Sequence, residues 1–408
     1  MDLWGSSNLG GGGSSTATLP DQISNLACTG GTDGTAGTID ISFTEVPATS
    51  FDLLKYYILI YKAGGIPQTP FDGTRITLPK GTAGAKLEHQ ITGLVFDQLY
   101  GVRIYPVSVK NQFQTLAEGA TATVTPVNGI DLGSLSIADR YAIPVLEPYQ
   151  TRFGNEIVFK IADKNHTGYP SGAVTLITER CIAMRCFDAK EPSNSNSDRQ
   201  NFGNNRYLHA NLRRWLNSDA GAWYAAQHSA DAPPTAANCY KGCNPYDTQA
   251  GFLNGFSAQF KAALMATTLT VAKNTVTDGG GSEIVTDKIF LASTTEVGLA
   301  NENSVAEGSK LALFSTDASR VAYCTTEAIA DSNYQKDPAN NNTAWYWRLR
   351  TPYASNSYRV RSVSTDGTLS YSSAYDGTCG VRPLCNLLSN SKVKPEPRAD
   401  GIYEPVWA

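Results

Sequence analysis

Hydrophobic and polar residues alternate with a period of two through much of the first part of the chain. Thr38-Ile39-Asp40-Ile41-Ser42-Phe43 alternates strictly, and Tyr56 to Tyr61 (YYILIY) is an apolar run of strand length. Leu87 to Ile91, Val102 to Val107 and Ala120 to Val124 complete the set. Roughly seven short strands in about a hundred residues predict an all-β sandwich over 19–126. Further on the period changes. Leu208, Leu212, Trp215 and Leu216 recur at helical spacing within Asn205 to Asn217, and Phe256, Phe260 and Leu264 do so within Gly255 to Met265. Strands are predicted at Glu156 to Lys160, Val174 to Ile177 and Asp287 to Ser293, with a turn at Thr277 to Ser282. This mixture predicts a second, α+β domain with long loops over 137–391.

Three segments fall outside these domains. Residues 1–18 are Gly/Ser-rich (Gly10 to Ser15 reads GGGGSS) and predict a flexible arm. Residues 127–136 read as a linker and 392–408 as a C-terminal tail. The chain is therefore expected to be multidomain.

The run from Trp345 to Cys385 has two stiff ends and a soft middle. Trp345 to Pro352 is aromatic and apolar, and Gly380 to Cys385 reads as a short buried strand. Between them Tyr, Ser, Asn, Thr, Asp and Gly predominate. Recognition loops use this composition, because Tyr gives contact area at low entropy cost while Ser, Asn and Gly adapt their hydrogen bonds.

Composition narrows the picture. Only 17% of the 408 residues are charged and the net charge is -4. No basic stripe is present, which argues against nucleic acid as a partner. No apolar run reaches the length of a membrane span. The N-terminus lacks the basic and apolar regions of a signal peptide, so an extracellular role implies another route, such as release with a virus particle. Of the eight cysteines, Cys181/Cys186 and Cys239/Cys243 are close in sequence, but neither spacing is the tight one of a zinc site. They read as free buried thiols, and no metal or cofactor is expected.

Ile91-Thr92-Gly93-Leu94 followed by Tyr100-Gly101-Val102-Arg103-Ile104 resembles a fibronectin type III domain, with Leu94 and Tyr100 at the corner before strand F and Phe43 in place of the usual tryptophan. The longer domain resembles a family of unknown biochemical function, associated with phages and gut bacteria, within the C-type-lectin-like (formylglycine-generating-enzyme-like) fold. The resemblance rests on Asn205-Arg206-Tyr207 with LRRWLN, Asp287 to Ser293 with Glu296, Trp347-Arg348-Leu349-Arg350-Thr351-Pro352, Asp366-Gly367 and Gly380-Val381-Arg382-Pro383. Proteins of this fold include the variable proteins of diversity-generating retroelements, whose adenine-directed mutagenesis turns Asn codons into Tyr, Ser, Asp and Thr. The soft middle is rich in that set.

Other chemistry finds less support. Formylglycine-generating relatives use a copper-binding cysteine pair, which Cys379 and Cys385 invite, but a cysteine in a buried strand is an inert thiol. Glu191-Pro192-Ser193-Asn194 is the nearest approach to a calcium lectin motif and lies far from the C-terminal loops. The four histidines form no metalloprotease motif, and Gly279-Gly280-Gly281 lacks the lysine of a phosphate loop. No catalytic residue is assigned, and the protein is not expected to be an enzyme.

The candidate ligand-binding residues are Tyr346, Arg348, Tyr353, Ser355, Asn356, Ser357, Tyr358, Arg359, Tyr371, Ser372, Ser373, Tyr375 and Asp376. Trp347 is assigned to the core, and Arg350, Arg361 and Arg382 to supporting ion pairs. The resemblance implies a phage or prophage tail-associated receptor-binding protein. Made in the bacterial cytoplasm and carried on the virion, it would act extracellularly, attaching to the tail through its N-terminal region and binding a protein or glycan receptor on the host cell. It also implies a homotrimer. The alternatives are an enzyme acting on surface glycan and a structural virion decoration protein.

Overall fold

The Thr38–Phe43 alternation lies in a strand, Gly37–Thr44, that turns Ile39, Ile41 and Phe43 into an apolar core. This computed structural model describes residues 19–32, 37–112, 120–126, 129–334 and 338–406. The Gly/Ser-rich arm predicted over 1–18 lies outside them. The chain is β-rich and divides into two units, Met1–Asn128 and Gly129–Trp407.

The first unit holds two antiparallel sheets. One orders Ser24–Thr32, Gly37–Thr44 and Lys86–Leu94. The other orders Thr74–Pro79, Leu54–Ala63, Tyr100–Ser108 and Ala120–Val124. Ile39, Ile41 and Phe43 share one cluster with Tyr57, Leu59, Val102 and Ile104 from the other sheet. Each such side chain contributes about 1.5–3 kcal/mol on burial. The YYILIY run is apolar on both faces because Ile58 and Ile60 join Tyr105 and Val107 in a smaller cluster of their own. At the corner after Leu94, the Tyr100 hydroxyl accepts the Val95 amide at 3.2 Å.

The second unit is built on a six-stranded sheet ordered Ile289–Phe290, Leu384–Leu388, Ala173–Thr178, Glu156–Lys164, Arg140–Pro144, Ile402–Tyr403. A five-stranded sheet orders Ala183–Met184, Gly380–Val381, Trp347–Pro352, Arg359–Val363, Leu369–Ser373. The segments read as linker and tail contribute to this unit, which corrects both boundaries. Lys392–Val393 pairs with Ile130–Asp131, and Ile402–Tyr403 runs parallel to Arg140–Pro144. Burial of Val393 and Ile402 draws them in.

Gly380 to Cys385 is buried as predicted but is not one strand. Gly380–Val381 belongs to the five-stranded sheet and Leu384–Leu388 to the six-stranded one, with Pro383, which has no N–H to donate, in the crossing. A Cβ on Gly380 would lie 2.5 Å from the Cys181 Sγ and 3.0 Å from the Tyr346 carbonyl, so the packing of the Cys181 side chain here requires glycine.

The helix predicted across Asn205–Asn217 is divided into a 3-10 turn, Tyr207–His209, and a helix, Asn211–Leu216. The cause is tertiary. Buried Asp188 accepts the amide of Asn204 at 3.1 Å and that of Asn211 at 3.0 Å, so a new helix start is satisfied at Asn211. The second predicted helix is shorter, Ala258–Ala263, capped by Ser257. The Asp287–Ser293 strand breaks after Asp287, where the Asn217 side chain takes the amides of Lys288 and Ile289. Among the described residues no helix is long and apolar enough to cross a membrane.

Candidate functional site

The site is built on the Trp347–Pro352 strand, which lies between two neighbours and is buried at every position. Trp347 is fully buried and its indole N–H donates to the Arg320 carbonyl at 2.9 Å. Arg350 makes a two-pronged ion pair with Glu296, both bonds 2.6 Å and both side chains at most 1% exposed. The Tyr169 hydroxyl adds a bond to the same carboxylate at 2.7 Å, and the Arg350 amide donates to the Ala292 carbonyl. Thr351 donates to Glu307, whose carboxyl burial pushes above the ordinary range. Thus the 287–296 and 347–352 segments form one frame. Arg361 pairs with Glu302. Arg382 does not pair with a carboxylate as predicted. Its guanidinium lies over the Trp347 ring at 5.1 Å, its Nε donates to the Thr178 carbonyl, and burial lowers its pKa to about 10.

Above this frame the 353–359 loop is held from behind. Asn205 donates to the carbonyls of Asn356 and Arg359 at 2.6 and 2.9 Å and accepts from Asn274 at 2.8 Å. The Asn356 side chain takes the amides of Tyr358 and Arg359 at 2.9 and 2.7 Å. Asn356 is therefore a turn-forming residue. The loop is ordered by its own bonds, so a ligand need not order it.

Three further candidates face inward and are corrected. Arg348 is fully buried, because the Ser372–Asp376 segment covers its face of the strand. It donates to the Ser372 Oγ at 2.6 Å and to the carbonyls of Ser373 and Asp376 at 2.9 and 2.6 Å. Ser372 is thereby spent on Arg348, and its hydroxyl also donates to the Cys379 Sγ. Ser357 is fully buried and donates to Asn196 at 3.2 Å. Tyr346 is half-buried, with its hydroxyl on Thr378 at 2.6 Å and its ring stacked on Trp345 at 4.7 Å. The Asp376 carboxylate holds the Thr378 amide and hydroxyl at 3.0 and 2.8 Å.

The remaining candidates come together. Arg359 and Arg361 lie opposite Ser373 and Tyr371 on the Leu369–Ser373 strand. Tyr371 is 45% exposed. It meets Tyr353 edge-on at 5.3 Å, and Arg361 covers Tyr353 at 4.1 Å. Arg359 lies over Tyr371 at 4.6 Å and over Tyr358 at 5.6 Å. Tyr358 continues onto Phe202 at 4.6 Å, Phe202 onto Tyr375 at 5.7 Å, and Tyr375 onto Tyr240 at 5.5 Å. Lys190 stands over Tyr375 at 5.5 Å and Lys241 over Tyr240 at 5.1 Å. Ser355, in the 353–359 loop, is exposed. Phe202, Tyr240, Lys190 and Lys241 were missed. They sit more than a hundred residues earlier in segments without a local signal, and only the fold brings them here.

Elsewhere the chemistry is muted. All eight cysteines are free, and the Cys186 and Cys239 sulfurs stand 3.6 Å apart without a bond. Burial pushes the Cys379 thiol up to about 11, which keeps it protonated at neutral pH. No group of three or more His, Cys, Asp or Glu among the described residues is placed to hold a metal ion. Two adjoining concavities of about 400 and 290 Å3 share Glu179 and Arg180 and contain no residue of the aromatic surface. Their Glu179 and Glu156 carboxylates are engaged by Arg140 and Arg398.

A family model described as a domain of unknown function (DUF6273) matches residues 172–389, which include both the frame and the aromatic surface. No curated protein matches the chain.

Proposed function

The chain belongs to the DUF6273 family, and from that premise we propose that it is a phage or prophage tail-associated receptor-binding protein whose aromatic surface adheres to a host cell. The carrying observation is the division of labour in 345–385. Arg348, Ser357 and Ser372 turn inward onto a rigid frame, while Tyr353, Tyr358, Arg359, Tyr371 and Tyr375 form one surface of rings and cations. Rigid aromatics on a preorganised support give affinity with little ordering cost. The mechanism is binding without turnover.

In this reading the first unit is a fibronectin type III spacer, which the Tyr100–Val95 bond at the corner supports. The second is a C-type-lectin-like domain, supported by its β-rich frame, short helices and long loops. The outward Tyr and Ser positions would be those diversified by a retroelement. A homotrimer repeated on a virion would raise weak single contacts by avidity.

The test is adhesion of labelled protein to a panel of intact bacterial cells. Replacing Tyr358, Tyr371 and Tyr375 together by Ala is expected to abolish adhesion with a nearly unchanged melting temperature. Adhesion that survives the triple change defeats the proposal. Release of reducing ends from surface polysaccharide would favour a glycan-acting enzyme instead.

A further inference from the structure

We propose that the aromatic surface takes an anionic polysaccharide, one that carries carboxylates on its sugar units. This deepens the binding role above and rests on it.

The first ground is charge. The chain is acidic, with a net charge of -4, yet this surface gathers cations. Arg359, Lys190 and Lys241 each stand over a tyrosine ring, and among the described residues none has a carboxylate within ion-pair distance. Neighbouring arginines differ. Arg199 pairs with Asp278, Arg206 with Glu283 and Arg361 with Glu302. A guanidinium placed over a ring without a carboxylate partner keeps donors for a two-pronged carboxylate contact. Asp376 is the one carboxylate among the candidate residues, and its Oδ1 is held by Thr378.

The second ground is the surface between the cations. Tyr358, Phe202, Tyr375 and Tyr240 follow one another at 4.6, 5.7 and 5.5 Å. Successive rings turn from tilted to edge-on, 34°, 68° and 76° apart, so they offer separate aromatic contacts for the C–H groups of successive sugars, and Tyr and Ser hydroxyls suit their hydroxyl groups. An acidic protein segment would fit less well. Its interface would need an apolar core, and of the large hydrophobic side chains exposed among the described residues only Tyr371 belongs to this surface. Cations spaced along a chain of rings give specificity for a polymer that repeats an anionic group and a sugar face.

The test measures binding of the full chain to immobilised polygalacturonate and polysialic acid, with methyl-esterified polygalacturonate and poly-glutamate as controls. Binding to at least one acidic polymer is expected, weakening with salt. Arg359→Gln and Lys190→Gln, with melting temperatures checked, should each weaken it by about tenfold, the scale of one charge-assisted contact. Binding to neither acidic polymer overturns the proposal. So does equal binding of the esterified polymer, where that is the polymer bound, or tighter binding of poly-glutamate. Cell adhesion that still needs the three tyrosines, with no acidic polymer bound, sinks the ligand class and leaves the receptor-binding role standing. Adhesion that does not need them sinks the role itself.

Discussion

Arg359 lies over the ring of Tyr371 at 4.6 Å, from the neighbouring strand and on the outward face of the sheet. Their further ring contacts, Tyr371 with Tyr353 and Arg359 with Tyr358, are with other residues of the same surface. Tyr371→Ala should therefore change stability by less than about 1 kcal/mol, as surface substitutions do. Its effect should appear in adhesion. A clear loss of denaturant resistance with unchanged adhesion would show that Tyr371 serves the fold.

Arg348 predicts the opposite pattern two strands away. Arg348→Met removes three donors; the Ser373 carbonyl keeps the Asp376 amide at 3.1 Å, while the Asp376 carbonyl loses its guanidinium donor. A buried group so stranded costs about 1–3 kcal/mol. Hydrogen exchange should quicken across 372–378, and adhesion should fall only as far as that segment loosens. Unchanged exchange there would show that Arg348 does not anchor it.

The Arg350–Glu296 pair is the strongest single tie in the frame. Removing one partner leaves a buried charge alone, so Arg350→Met or Glu296→Ala should cost about 3–5 kcal/mol. Urea unfolding reads this as a lower midpoint for the second unit alone. A cost below 1 kcal/mol would mean that water reaches the site.

His209 sets a pH window. Burial, reinforced by Arg206, His228, Arg199 and Arg213, pulls its pKa from 6.5 down to about 4, and its ring stacks on His228 at 4.5 Å. The folded state thus binds fewer protons than the unfolded one between these values. Its contribution is fully present above pH 6.5 and is lost as pH falls towards 4. Asp231, raised by burial, slopes the other way above its ordinary value. The difference between wild type and His209→Gln isolates the histidine. That difference should shrink as pH falls through the window, and a flat difference would refute the assignment.

Sequencing related gene copies tests diversification. Variation should concentrate at Tyr353, Ser355, Tyr358, Tyr371, Ser373 and Tyr375 and should spare Arg348, Ser357 and Ser372. A nearby reverse transcriptase with a near-identical template repeat of the Trp345–Cys385 codons would complete the case. Silent variation alone would end it.

What the sequence made legible was local. The Thr38–Phe43 alternation and the YYILIY run became strands, and Trp347 entered the core with its indole satisfied. Arg348 shows the limit. Alternation places it opposite Trp347, but alternation cannot tell that the other face is covered too. Asp188 divides the predicted helix from outside it, and Phe202 and Tyr240 reach the surface through contacts distant in sequence. These depend on what packs where, and period alone does not carry that.

The six-stranded sheet sets a schedule for synthesis. Its outermost strand, Ile402–Tyr403, lies parallel to Arg140–Pro144, and Lys392–Val393 seals Ile130–Asp131. Leu384–Leu388 sits inside the same sheet, beside Ala173–Thr178. While the ribosome is still translating, more than two hundred residues must therefore wait with an open sheet edge. Only after Tyr403 has emerged can the unit close, so the edge beside Arg140–Pro144 stays open until almost the whole chain has been made.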